Sequence, residues 1–404
     1  MAPSLNLSDD QRFALMKLRR NVSDCSQSQH DDLFLLRWLR ARNFNVEAAE
    51  KMLRDSLRWR DNWEVEKLRD WVPPEVMQKY YPSGISGYDK EGAPVIIVPF
   101  AGLDMWGMMH CINKSDFIKM TIKTLEMYMS IAREQAEKFG NEASKLICVM
   151  DMENFNIRQY AWRPAGEVVV ALVQMYEANY PEILKACYII NAPKVFAIAF
   201  AVVKNFMNEH TLRKIQIIKS DPQKWQPILL ASIEPDQLPA HFGGTLTDPD
   251  GNPRYATKVA QGGKIPKSYY TKKTDSTSPP LNDTFTTVVI KKGEKLNLPF
   301  IAPTENSILK WEFQSEGQDI KFGITCQDID GTESTVVPVH KVNSHHSNEI
   351  GVITCPTPAT YTVIFDNTNS YIRSKKIHYS IAMVSPLTAK DDDTEDDKIT
   401  IQEG

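Results

Sequence analysis

The sequence predicts an α/β lobe preceded by a helical lobe and followed by an all-β sandwich. Three observations carry this expectation. Residues 8–75 place apolar side chains at helical spacing. Residues 76 to 246 alternate short β-branched runs with helical segments. From about residue 283 the apolar period becomes two. At 404 residues the chain has room for two or three domains.

In the first region, "LSDDQRFALMKLRRNV" offers Ser8 as an N-cap, with Phe13, Leu15 and Leu18 as its apolar positions. "DDLFLLRWLRARNFNVEAAEKMLRDSLRWR" reads as two further helices broken around Asn43–Asn45, with Val46, Ala49, Leu53 and Leu57 at helical spacing in the second. Four runs then read as strands: "PVIIVPF" (94–100), "KLICVMDM" (145–152), "ACYIINAP" (186–193) and "KIQII" (214–218). Helical segments separate them, which argues for a mainly parallel sheet with crossover helices. The runs are continuous rather than alternating, so both sheet faces should be buried. "TDPDGNP" (247–253) and "TKKTDSTSPPLND" (271–283) have turn and linker composition. Beyond them Ile320, Phe322, Ile324 and Cys326 alternate, as do Tyr361, Val363 and Phe365, and "DIDGTE" offers an Asp-Gly turn. The expected divisions are 1–75, 76–246, 247–282, 283–387 and an acidic tail at 388–404.

The net charge of −4 is concentrated in that tail, which carries seven acids and two lysines; the body is nearly neutral. Such a balance lacks the basic surplus of a nucleic-acid binder. The opening "MAPSLNLSDDQR" has no apolar run, so no signal peptide is expected, and no stretch reaches the ~18–20 apolar residues of a spanning helix. Six cysteines are scattered without a CxxC pair, several inside apolar runs, which points to a reduced, cytosolic protein; pairing of Cys326 with Cys355 stays open.

No nucleophile elbow, phosphate loop or zinc-helix motif is present, so no catalytic residue, no metal ligand and no cofactor is expected. Asp151 and Glu153 follow a strand and are read as structural acids rather than a catalytic pair. Phe117, Met120, Thr124, Met127, Tyr128 and Ile131 of one helix, with Met150 of a strand, are candidate lining for an apolar pocket, since thioethers and aromatics adapt to an irregular guest.

"LLRWLRARNFNVEAAEKML" (35–53), "YYPSGISGYDKEGAPV" (80–95), "NYPEILKACYIINAPKVF" (179–196) and "IEPDQLPAHFGG" (233–244), in that order, resemble the CRAL-TRIO lipid-binding and transfer family over about residues 8–265. The sandwich, with "TYTVIFDNTNSYIRSKKIHYSI" (360–381), resembles a GOLD domain. The pairing is similar to the branch that includes tocopherol-associated and invertebrate retinal-binding proteins. The resemblance implies a sheet-floored apolar cavity closed by a mobile helix, and non-catalytic carriage of one hydrophobic molecule. A retinoid, tocopherol, squalene-like compound or phospholipid is the implied ligand, exchanged at a transient membrane surface. It also implies a cytoplasmic protein, peripheral at Golgi or other internal membranes, with a protein partner open to the GOLD domain. An adaptor regulated by its lipid is the alternative. Arg42, Glu182 and Lys214 match positions that read a phosphoinositide headgroup, but Asn43 and Ile183 stand where those binders carry bases, and "NFNIRQY" (154–160) lacks the phosphocholine pattern. Phosphatidylinositol is therefore expected to bind more weakly than a neutral hydrophobe.

"NAPKVFAIAFAVVKNFM" (191–207) occupies the gate position of that family. At helical spacing Phe196, Phe200, Val203 and Met207 form one stripe, and Val195, Ile198, Val202 and Phe206 a neighbouring one. The apolar arc is wider than a one-sided surface helix requires. Periodicity alone leaves an enclosed core helix open; the resemblance implies a lid over the pocket, with Phe196 and Phe200 meeting the membrane. From Lys194 to Lys224 six bases face two acids, a balance suited to anionic lipid.

Overall fold

The structure is a computed structural model that describes residues 7–27, 30–270, 285–345, 348–370 and 373–384. The linker expected at 271–283 and the tail expected at 388–404 lie outside the described residues. The described residues fall into two compact units, one within Met1–Trp71, Tyr81–Leu103 and Ile118–Gly263, the other within Val72–Tyr80, Asp104–Phe117 and Lys264–Gly404.

The first unit begins with three helices, α1 (Asp9–Asn21), α2 (Asp32–Ala41) and α3 (Val46–Asn62). Ser8 caps α1 by accepting from the Gln11 amide while the Gln11 side chain returns to the Ser8 amide. Leu15 and Leu18 are buried, but Phe13 is 66% exposed: Ala14 takes its place on the inner face. Asn43 and Phe44 break the helical run with φ of 48° and 61°, and Asn45 caps α3 through the Ala48 amide. Leu18, Leu35, Leu36, Leu39, Ala49 and Leu53 form the core among the three helices.

The sheet has five strands in chain order: β1 (Gly84–Tyr88), β2 (Pro94–Pro99), β3 (Leu146–Asp151), β4 (Leu184–Ile190) and β5 (Ile215–Ile217). β2 to β5 are parallel; β1 pairs antiparallel with β2 and was not expected, since "GISGY" has no β-branched run. The remaining α-helices among the described residues are α4 (Glu75–Tyr80), α5 (Met105–Cys111), α6 (Lys114–Phe139), α7 (Ile157–Ala161), α8 (Arg163–Asn179), α9 (Phe196–Val203), α10 (Glu209–Arg213) and α11 (Pro222–Ser232). One face of the sheet, through Ile96 and Leu146, packs with Ile118 and Ile122 of α6 and Met175 of α8. The other, through Val95, Ile97, Ile147, Val149 and Tyr188, packs on Trp225 and Leu229 of α11. Both faces are covered, which is why the strands read as unbroken apolar runs.

The second unit holds a sandwich of two four-stranded sheets. Its strands are β6 (Thr286–Ile290), β7 (Lys295–Ile301), β8 (Ser307–Ser315), β9 (Ile320–Gln327), β10 (Glu333–Val342), β11 (Glu349–Cys355), β12 (Thr360–Asp366) and β13 (Lys375–Val384), ordered β10-β9-β12-β7 and β11-β8-β13-β6. Phe313, Phe322 and Phe365 meet between the sheets, with Phe313 4.9 Å from each of the other two ring centres. Cys326 and Cys355 lie in this core, and all six cysteines are free thiols. Two stretches expected in the earlier lobes, 72–80 and 104–117, belong to this unit. The carboxylate of Glu75 on α4 explains the first: it accepts from the Thr354 amide at 2.5 Å, the Thr354 hydroxyl at 2.6 Å and the Tyr269 hydroxyl at 2.9 Å.

Candidate functional site

The C-terminal ends of the central parallel strands are where sheets of this kind place ligands. Here β3 and the same face of β4 present Cys148, Met150, Cys187 and Ile189, and α9 packs on them through Phe196 and Phe200. Phe100, just past β2, and Phe155, just past β3, complete an aromatic cluster with Tyr160 of α7. Phe155 meets Phe196 edge-on at 5.6 Å and stacks on Tyr160 at 5.3 Å, while Phe196 and Phe200 lie 5.9 Å apart. Phe196 is 6% exposed. Carbon, sulfur and rings therefore make up the packed cluster beneath α9.

The opposite side of α9 is equally apolar and faces water. Ile198 is 65% exposed, Val202 55%, and Phe206, in the short 3-10 turn Lys204–Phe206, 38%. The helix has eight residues, "FAIAFAVV", and none is polar. Its far end is anchored by Asn208, which caps α10 through the Thr211 amide at 2.8 Å and donates from its side chain to Glu177 on α8. Val203 and Met207 are half-buried. The four gate residues expected from the stripe thus include no solvent-facing one. Phe196 and Phe200 pack into the apolar cluster, and the side chains available to a membrane in this conformation are Ile198, Val202 and Phe206.

Of the expected pocket residues, Met150 joins the cluster under α9. Tyr128 is buried, its hydroxyl 2.6 Å from that of Ser83; Met120, Thr124 and Ile131 are half-buried on α6; Met127 is 51% exposed. Phe117 is buried in the second unit. Phe100, Phe155 and Tyr160 were missed. Their one sequence signal is position, directly after apolar strands.

Among the headgroup candidates, Lys214 and Glu182 are brought together: Lys214 Nζ lies 3.1 Å from Glu182 Oε2, with side chains 24% and 16% exposed. Glu182 sits in a turn at φ 59° before β4, and the Lys214 carbonyl accepts the Cys187 amide at 2.8 Å, so both are set by the start of that strand. Arg42 donates to its neighbour's carbonyl, Ala41 O, at 2.9 Å, and no bond joins it to the other two among the described residues. Asn43 is engaged with His210 at 3.0 Å, and Ile183 is 2% exposed in the core.

Asp151, Glu153 and His241 each offer a ligand atom within 4.8 Å of the others. The two acids have structural tasks. Asp151 accepts from Asn191 at 2.8 Å and from the Glu153 amide at 3.0 Å, with His241 Nε2 3.5 Å away; Glu153 pairs with Arg254 at 2.9 Å. Burial alone would raise the Asp151 pKa, but these neighbouring donors outweigh it and hold the carboxyl below the usual range. The glycines after His241 are required by geometry. Gly243 has φ 92°, and a Cβ on Gly244 would lie 2.0 Å from the Leu238 carbonyl oxygen.

Comparison with known proteins agrees with this arrangement. The model of the CRAL/TRIO domain matches residues 78–244, and that of the CRAL/TRIO N-terminal domain residues 7–55. The chain is 26% identical over 358 residues to protein ctg-1 of Caenorhabditis elegans, covering 87% of this chain and 91% of that protein. It is 29% identical over 300 residues to the CRAL-TRIO domain-containing protein T23G5.2 of the same organism, covering 73% of this chain but 40% of that longer protein. The crystal structure of Sfh5 superposes with a TM-score of 0.51 at 17% identity, over 63% of this chain and 92% of that one, a likeness of fold. No helix among the described residues is long and apolar enough to cross a membrane. The C-terminal sandwich fits a GOLD-like domain. With its N-terminal helices, its mixed sheet and the apolar floor beneath α9, the chain belongs to the CRAL-TRIO family of lipid-binding proteins.

Proposed function

We propose that this protein is a non-catalytic carrier of one hydrophobic molecule, held over β3 and β4 and exchanged at a membrane when α9 moves. A retinoid, a tocopherol, a squalene-like compound or the acyl part of a phospholipid suits that lining. The observation that carries the reading is α9 itself, apolar on the face that covers the cluster and apolar on the face that meets water. A helix serving only the core would present polar groups outward. One that must pass between a pocket and a bilayer has reason to be apolar on both sides. The headgroup candidates support a neutral guest, since Lys214 is already neutralised by Glu182 and Ile183 supplies no charge.

The test is extraction of natively purified protein with organic solvent, followed by mass spectrometry, together with uptake of labelled retinoid, tocopherol and squalene from neutral vesicles. About one apolar molecule per chain is expected. An empty protein that takes up none of the offered molecules would end the carrier reading.

A further inference from the structure

The sandwich is electrically polar along its strands. One end carries the 302–306, 328–332 and 356–359 connections, with the first residue of β10. It presents Glu305, Asp328, Asp330 and Glu333, all exposed, and no lysine or arginine. The other end carries the β6–β7, β8–β9, β10–β11 and β12–β13 connections and the strand residues beside them, and its balance is reversed. There Lys295 pairs with Asp366 at 3.1 Å, Lys341 and Lys375 with Asp319 at 3.0 and 3.2 Å, and Lys376 with Glu316 at 2.9 Å. Glu316, Asp319 and Asp366 are thereby answered, while Glu294 is exposed in the turn that bears Lys291 and Lys292, and Glu349 opens β11. Lys291, Lys292, Lys321 and Arg373 remain without an ion-pair partner among the described residues, three of them exposed and Lys321 half-buried. A ten-residue strand such as β13 separates the two ends by about 30 Å.

The surplus charge sits on a built platform. Asn367, 1% exposed, donates from its side-chain nitrogen to the carbonyls of Ile290, Lys291 and Arg373 at 3.2, 3.1 and 3.2 Å. Its backbone ties it to the turn at 291–294 as well, accepting from the Gly293 amide at 3.1 Å and donating to the Glu294 carbonyl at 2.9 Å. A single buried amide therefore fixes the turn bearing Lys291 and Lys292 beside the turn bearing Arg373. Like charges repel, and Glu294 in the same turn offsets only one of the four, so the surplus is relieved where an anion is met.

We infer that this end of the sandwich is a docking surface for anionic membrane lipid, separate from α9 and chosen by headgroup charge rather than by the carried molecule. The choice of a membrane as the polyanion rests on the carrier reading above. Four clustered cations at the end of a molecule with opposite charge at its far end favour a broad charged plane approached end-on. A nucleic-acid duplex would call for a longer basic stripe.

The test uses the full chain and co-sedimentation with phosphatidylcholine vesicles, with and without phosphatidylserine. Wild type should partition onto the anionic vesicles with strong salt dependence. The variant K291A/K292A/K321A/R373A should lose about 100- to 1,000-fold of that partition at a melting temperature no lower than that of wild type. E305Q/D328N/D330N/E333Q should retain it or gain. Equal partition of wild type and the basic-end variant, equal partition onto neutral vesicles, or a preference for a short DNA duplex or an acidic peptide would overturn the inference. Uptake of apolar ligand from neutral vesicles, measured in parallel, separates its failure from that of the carrier reading, because the variant leaves the floor beneath α9 intact.

Discussion

Replacing Ile198 and Val202 with serine should stop ligand exchange while leaving the fold in place. These side chains are 65% and 55% exposed, so little of the native packing depends on them. Full burial of such a side chain is worth about 1.5–3 kcal/mol. Scaled by the part now in water, each would contribute about 1–2 kcal/mol on entering a bilayer interface, and the pair about 2–4 kcal/mol. The expected effect is therefore a ~30- to 1,000-fold weaker encounter with neutral vesicles. Phe196→Ala is the contrasting change. That ring is 6% exposed against Phe155 and Phe200, and its removal should cost about 3–5 kcal/mol of stability. The assay is transfer of a fluorescent hydrophobe between donor and acceptor vesicles, read beside a thermal melt for each protein. Transfer at the wild-type rate by I198S/V202S would refute the reasoning, as would a melt lowered as far as that of F196A. In either case α9 would be an element of the core whose outer face has no role.

Lys310 is 5% exposed and donates to the Tyr270 carbonyl at 2.7 Å; burial pushes its ammonium down to about 8. Because the folded state holds this proton less tightly than the unfolded chain, stability should rise as pH climbs from about 8 to 10.5, by up to about 3 kcal/mol. Denaturant titrations of wild type against K310M across that window should show the rise only in the former, and parallel profiles would refute it. Lys214→Ala should lower stability by about 1–3 kcal/mol through the stranded Glu182 carboxylate. It should leave phosphatidylinositol a weaker competitor than tocopherol, squalene or retinoid, whereas a selective loss of phosphatidylinositol transfer would assign Lys214 to a headgroup. A chain ending at Tyr270 should still take up ligand but melt lower, since Glu75 loses both bonds from Thr354. Loss of uptake in a folded truncation would show that the lipid lobe is not separable.

The layered architecture was legible because its causes are local. β-branched runs at 94–100, 145–152 and 186–193 became β2, β3 and β4 within a few residues, and Ser8 and Asn45 cap the helices they precede. β1 escaped notice because "GISGY" is held by pairing with β2 rather than by its own propensity. The site was only partly legible. Met150 and the stripe of α9 follow from period, but Phe100, Phe155 and Tyr160 come from three separate connections, and nothing in their spacing says that their rings meet. Period also gave no sign of which stripe of α9 faces inward, because both stripes are apolar. The pairing of Lys214 with Glu182 is likewise a contact across 32 positions of chain.

The three bonds at Glu75 also bear on the order in which this protein is made. Thr354 lies 279 positions after Glu75, and Tyr269 lies 194 after it. On the ribosome α4 is therefore complete long before the strand that satisfies its carboxylate exists. Over that interval the Glu75 carboxylate has Lys79 of its own helix as a partner, but its hydrogen-bond donors Tyr269 and Thr354 are still to be translated. Closing such distant contacts late makes assembly of the second unit slow relative to the helical start of the chain. A stalled or prematurely ended chain would expose its consequences first at residues 72–80 and 104–117. Those segments are the places to look for chaperone binding or early proteolysis during synthesis.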